Sequence, residues 1–381
     1  MTAAVTTKRR HDVRVMVDGR EISDWIDYDI QQSLLSPADS FQFTLPFSSE
    51  AFELCRTDRR CKVVIDRVVW MDGFIGKRER DRAAGTIVIA GRDKMGRLVD
   101  ESAPSVNFQG TTMKSLLEKL AAPWFRTVTF SNARNRRVAR GRGHKVRDGR
   151  TVYVDQAVGT RLEPGQLRWA AMQELLEQAG YLAWSSCDGL ELVVGQPDYK
   201  QEAQYRFFVA AEGSSRSSQT NVKNIRQTDS TDDRYSRILY LGGGAGTDAN
   251  YGAPTSSRFG EAKNNPSTTE GDGRDFSAPK RLILADRHDL SNRKEAQRRA
   301  QREMAKRDMK AHVLVVDHDH HGQIVGGDEI TLFTIDTIAH VTDEETNIDD
   351  DYLLVDVRLR GDRSSETSTL ELLPKGIELT P

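Results

Sequence analysis

KVVIDRVVWMDGFIG, residues 62–76, is dense in β-branched side chains and is interrupted at Asp72-Gly73, a pair that favours a tight turn between strands. The flanking sequence follows the same pattern. Upstream, Val13, Val15 and Val17 alternate with polar residues before Asp18-Gly19, and Phe41, Phe43 and Leu45 alternate up to Pro46. Downstream, TIVIAGRD (86–93) leads into KMGRLVDESAP (94–104), a short turn-like segment closed by Pro104. Five or six short strands in about 100 residues predict a small barrel or sandwich over residues 1–100.

Beyond residue 104 the hydrophobic period changes. TTMKSLLEKLAAPW (111–124) places Met113, Leu116, Leu117 and Leu120 at helical spacing before Pro123. QLRWAAMQELLEQAG (166–180) does the same with Trp169, Met172, Leu175, Leu176 and Ala179, and Gly180 is a C-terminal stop. The hairpin YLAWSSCDGLELVVGQP (181–197) follows, turning at Asp188-Gly189. Residues 101–220 therefore read as an α+β module with two helices and a hairpin. Between the helices, ARNRRVARGRGHKVRDGR (133–150) is strongly basic but has no interleaved aromatics, so a solvated or partner-facing loop is favoured over a phosphate grip.

RYSRILYLGGGAG (234–246) is a strand running into glycines. Thr247-Asp248 follows where a phosphate-binding loop needs Gly-Lys-Ser/Thr, so the glycines are expected to release the chain into a loop. Residues 247–279 are polar and rich in Gly, Ser, Thr and Pro, and are expected to be mobile until a partner orders them. SNRKEAQRRAQREMAKRDMK (291–310) is a helix with Ser291 as its candidate cap. Eight basic and three acidic side chains surround a narrow stripe of Ala296, Ala300 and Met304, which suits close packing on a barrel better than nucleic-acid binding. Strands return at 312–318, 328–336, 351–361 and 367–374. Val355, Val357 and Leu359 are expected on one face and Asp356, Arg358 and Arg360 on the other.

The chain has 381 residues, 37% of them hydrophobic and 29% charged, with 55 Lys plus Arg against 57 Asp plus Glu. That balance argues against a dedicated nucleic-acid coat. No run approaches the ~18 apolar residues of a membrane helix, and the N-terminus does not resemble a signal peptide. Cys55, Cys61 and Cys187 lack the spacing of a disulfide or zinc framework and read as free thiols. In DHDHHG (317–322) only His318 and His320 share a side, so a hairpin tip is favoured over a metal site. TDEETNIDDD (342–351) fails the calcium-loop pattern and reads as a solvated acidic loop. No catalytic constellation is present, so catalytic, cofactor-binding and metal residues are all expected to be none.

The order of segments carries a resemblance. IAGRDKMGRLVDESAP, the GYLAW and DGLELVVGQP hairpin, NVKNIRQ, the basic helix and DYLLVDVRLRGDRSSETSTLELL together resemble the baseplate hub proteins of contractile-tailed bacteriophages, the Mu-like tail protein P group related to late-control D proteins. The resemblance implies an α+β, mostly β fold with two similar antiparallel β-barrel (tube) domains. The first would span 1–100, the α+β module 101–220, and the second tube 221–246 with 311–381, leaving 247–310 as a polar insertion and basic surface helix.

It further implies a non-enzymatic homotrimeric ring that adapts a sixfold tail tube to a threefold spike and forms part of the DNA-ejection channel. The partners implied are a separate trimeric spike, the tail tube and other baseplate proteins. DNA would pass without specific binding and there would be no membrane insertion. The place implied is the virion tail, assembled in the host cytoplasm. A peptidoglycan-degrading tail enzyme, a type VI secretion-like spike hub and a nucleic-acid-binding protein are the alternatives.

Overall fold

A computed structural model describes residues 11–104, 112–133, 137–139, 144–147, 150–153, 157–159, 165–242, 258–264, 279–286, 293–324 and 330–375. The fold is α+β and mostly β, with 50% of the described residues in strands and 18% in helices. Its spine is one 13-stranded sheet. The hydrogen-bonded order is Asn224–Asp229, His312–His318, Glu366–Pro374, Ile348–Asp362, Asp27–Ser33, Ser40–Pro46, Thr86–Asp93, Val68–Asp81, Arg60–Ile65, Val13–Val17 and Arg20–Ile22. Thr337–Asp343 also pairs with Ile348–Asp362, and Ala203–Val209 runs parallel to Thr337–Asp343. Among the described residues no pairing closes this path into a barrel.

The strand Ile348–Asp362 joins the two ends of the chain. Its first part pairs with Thr337–Asp343 and its second with Asp27–Ser33, while Glu366–Pro374 lies along its other edge. The change of partner falls at Val355, where a β-bulge interrupts the register. The Leu354 carbonyl accepts from Asp336 N–H at 3.1 Å, and the Val355 carbonyl accepts from Leu34 N–H at 2.9 Å. A bulge shifts the side-chain phase, so the expectation of one common face is corrected here. Val357 and Leu359 join the main core with Ile30, Phe43 and Phe207, whereas Val355 packs in a separate cluster with Leu34, Leu182, Ile338 and Leu373.

The decisive stretch is also corrected at one point. Asp72-Gly73 does not break the strand, which runs without interruption from Val68 to Asp81. The turn sits at Asp66-Arg67, both with positive φ (49° and 70°). Glycine at 73 answers crowding instead, because a Cβ there would lie 2.0 Å from the Arg92 carbonyl oxygen. Asp18-Gly19 does form its turn, with φ of 47° and 82°, and Phe41, Phe43 and Leu45 all point into the core. MGRLVD is a six-residue helix, Met95–Asp100, not a turn.

The α+β module has its own core. Helix Met113–Ala121 buries Met113, Leu116, Leu117 and Leu120, and the Thr112 hydroxyl accepts from Ser115 N–H at 3.2 Å to cap it. Helix Arg168–Ala179 ends at Gly180 in the left-handed conformation (φ 73°). The strands Leu182–Ser185 and Glu191–Gly195 form the expected hairpin, extended by Thr127–Ser131. Within the basic segment the backbone forms short strands, His144–Arg147 paired with Arg150–Tyr153 and Arg137–Ala139 with Ala157–Gly159.

A third unit differs from expectation. Arg237–Gly242 leaves the main sheet and pairs with Arg258–Lys263 and Arg281–Asp286 in a three-stranded sheet. One of these strands thus lies inside the polar stretch 247–279, whose remaining residues, apart from 264 and 279, fall outside the described ones. Helix Arg293–Ala311 lies on this sheet and not on a barrel. Ala296, Ala300 and Met304 are buried, Ala300 and Met304 against Ile238 and Ala262. A Cβ on Gly260 would come within 2.0 Å of the Ala296 backbone, so glycine and the small stripe together permit the close approach.

Candidate functional site

Three polar clusters lie where these units meet. The first is built on Asp72, whose side chain is fully buried. Arg60 grips it with Nε at 2.9 Å and a terminal nitrogen at 2.5 Å, and Lys94 Nζ lies 3.0 Å away. Lys94 also donates to the Gly189 carbonyl at 2.7 Å. Gly189 is the tip of the module's hairpin, and its positive φ (65°) lets the backbone sit against Asp72 Cβ. Burial pushes the Asp72 carboxyl up, but the hydrogen bonds from Arg60 and Lys94 outweigh it and hold it below the ordinary range. The cluster clamps the module onto the first run of strands.

Asp39 and Asp93 form the second, a buried carboxyl pair with no such cationic clamp among the described residues. Asp39 accepts from Ser33 N–H at 2.9 Å, and its amide oxygen accepts from Asp93 N–H at 3.1 Å. Burial pushes Asp39 up to about 7, with Asp356 adding to the shift against the Ser33 hydrogen bond. Burial and then Asp39 raise Asp93, and the N–H groups of Gly96, Asp39 and Met95 offset part of that.

A raised carboxyl pKa costs the fold nothing below the unfolded value near 3.8; for Asp39 the penalty builds from there and is complete above about 7, and Asp93, also raised, is penalised in the same direction. Asp93→Asn is therefore expected to melt higher than the parent at pH 8, by on the order of 1–3 kcal/mol, with the gain shrinking at pH 4.5. Calorimetric melts at both values check this, and a loss of stability at pH 8 would refute it.

The DHDHHG segment forms the third cluster. It is not a hairpin tip. Its flanking strands, His312–His318 and Gly322–Ile324, pair with other strands, and residues 319–321 turn a corner packed against the first run of strands. His321 is fully buried. Its Nε2 lies 2.5 Å from the Tyr28 hydroxyl and its Nδ1 3.0 Å from Ser368 Oγ. The Ser368 hydroxyl donates to the His320 carbonyl at 2.8 Å. His320 Nδ1 lies 2.8 Å from Glu366, and His11 Nδ1 lies 2.5 Å from Asp66, with the His11 ring stacked on His321 at 5.5 Å. Burial, then His11, His320 and His318, lower the His321 pKa to about 3. The sequence exposed the His-rich run but hid its partners, because His11, Tyr28, Asp66, Glu366 and Ser368 come from distant segments.

Of the other sequence candidates, Cys55 and Cys61 share the main core. Cys55 and Cys61 are buried and all three thiols are free; burial pushes Cys55 up to about 11. The acidic run is only partly a loop, since Asp349, Asp350 and Asp351 pair in the strand Ile348–Asp362 with Thr342, Val341 and His340. On the basic helix, Arg302 bonds the Glu177 carbonyl of the module and Arg234 pairs with Asp308 at 3.1 Å, so part of its charge ties units together. Among the described residues no three His, Cys, Asp or Glu gather as a metal-holding group, and no helix is long and apolar enough to cross a membrane.

A long mixed sheet, an α+β module clamped on its flank and polar clusters that bind units together make up a fold that this chain shares with phage tail proteins. Residues 12–93 match the family model of the Mu phage baseplate assembly protein GpP-like, N-terminal domain. Over its full length the chain is similar to the tail protein from Neisseria meningitidis MC58, at 26% identity and a TM-score of 0.74, covering 97% of this chain and 98% of that one. The 43 kDa tail protein of prophage MuSo2 from Shewanella oneidensis shares the fold at 17% identity and a TM-score of 0.71, with 96% and 98% covered. So does the E. coli c3393 protein, a type VI secretion component described as similar to the T4 tail proteins gp27 and gp5, at 9% identity and a TM-score of 0.50, with 98% and 79% covered. A comparison by sequence with curated proteins finds no match.

Proposed function

We propose that this chain is the baseplate hub of a contractile phage tail, a non-enzymatic homotrimeric ring. It would adapt a sixfold tail tube to a threefold spike and line part of the channel through which DNA leaves without specific binding. The observation that carries this reading is the doubling of the main sheet. Two runs of strands, at 13–93 and 203–374, meet along the strand Ile348–Asp362, so each chain can supply two tube-like units. Three chains would then offer six units to the tube and three equivalent faces to the spike. A closed ring repeats one heterologous contact without leaving an open end.

The remaining partners follow from the same place in the particle: a separate trimeric spike, the tail tube and neighbouring baseplate proteins. The chain would act in the virion after assembly in the host cytoplasm. Light scattering with negative-stain class averages tests this at varied concentration, with and without the spike. A ring of three with near-sixfold internal symmetry is expected. A persistent monomer with spike at tens of micromolar, or a ring of another number, would overturn it.

A further inference from the structure

We propose that His321 is an acid-sensitive latch between the two runs of strands, closed while its imidazole is neutral and opened by protonation. The hydrogen-bond chain fixes the neutral form. Ser368 spends its only proton on the His320 carbonyl, so its oxygen must accept from His321, which places the ring proton on Nδ1. His321 Nε2 is then the acceptor for the Tyr28 hydroxyl at 2.5 Å. Tyr28 belongs to the first run of strands, whereas His321 and Ser368 belong to the second, so this chain crosses the seam.

A proton added at Nε2 would face the Tyr28 hydroxyl and force that bond to reverse. The carboxylates that could balance the new charge are engaged elsewhere. Asp66 holds His11, and Glu366 holds both His320 Nδ1 and, at 3.2 Å, the His11 backbone N–H. The other groups around the ring are His11, stacked at 5.5 Å, and His318 and His320 on its own corner, where further protonation adds like charge. Burial and these imidazoles hold the ring neutral down to a pKa of about 3, against 6.5 when free.

Between about pH 3 and 6.5 the open state binds a proton that the closed state excludes, so opening gains as pH falls. From pH 6.5 to 4.5 the open fraction should rise by about fiftyfold, the slope approaching tenfold per unit toward the lower end.

Hydrogen–deuterium exchange on the full chain, corrected for intrinsic pH dependence, reads this directly. Amides of 319–324 and 11–17 should become less protected on going from pH 7 to pH 5, ahead of 41–45. His321→Gln can still accept from Tyr28 but cannot charge, so it should flatten the dependence, whereas His312→Gln, on an exposed ring paired with Asp229, should keep it. Nitrogen NMR of labelled histidines provides a measurement independent of any variant: His321 should show a single neutral Nδ1–H tautomer until the corner opens. Reversible titration of His321 near 6.5 without loss of protection would overturn the latch, as would equal acid sensitivity in His321→Gln and the parent.

Discussion

A Leu359→Asp chain is expected to yield no soluble folded protein. Leu359 is fully buried in the core that also holds Ile30 and Phe43, and an unpaired carboxylate there costs several kcal/mol, against a total stability of about 5–15 kcal/mol. Val355→Asp should fail as completely, although it strikes the other cluster, against Leu34, Leu182 and Leu373. Arg358→Ala on the same strand is the contrast. Its guanidinium holds Asp29 at 2.8 and 2.6 Å, but both side chains are substantially exposed, so the loss should stay below about 1 kcal/mol. Expression yield and thermal melts compare the three, and a Leu359→Asp protein melting like Arg358→Ala would refute the assigned burial.

The second large effect is expected at Asp72. Asp72→Ala leaves the Lys94 ammonium, itself nearly buried, with only the Gly189 carbonyl among the described residues. Breaking a buried pair by removing one partner typically costs about 3–5 kcal/mol. The damage should appear first at the docked hairpin, so exchange of 186–190 should quicken before that of 41–45. Asp188→Ala, at the same turn but on the exposed side, should do far less. Equal melting of the two variants would show that the clamp does not hold the module.

Much of the architecture is legible in local pattern. The alternation at Val13–Val17 and Phe41–Leu45, the helices around Leu116 and Leu175, and the turn at Asp188-Gly189 are each set by neighbours in sequence, so a short window suffices. Features set by distant contacts are not legible. Asp72-Gly73 has the composition of a turn, yet the crossing of Arg92 behind it demands glycine in a continuous strand. Val355 fits the alternation, but its strand changes partner there, and only a pairing can reveal a bulge. The strand Thr337–Asp343 carries a weak local signal because its run holds the polar His340 and Thr342. The polar clusters were the least visible, since Asp72 meets Lys94 and Gly189, and His321 meets Tyr28, only in three dimensions.

The strand Ile348–Asp362 also bears on how such a gene can change. Since its first part completes one run of strands and its second part the other, neither run can be lifted out as a cassette without stripping an edge from the other. The helix-bearing three-stranded unit is less bound in this way, since its sheet bonds are its own. A crossover that separated residues 27–33 from 356–362 would have to bring in two lineages already matched along seven facing residues. The two runs must therefore be inherited as a pair, and substitutions on one side of that ladder are expected to be answered on the other.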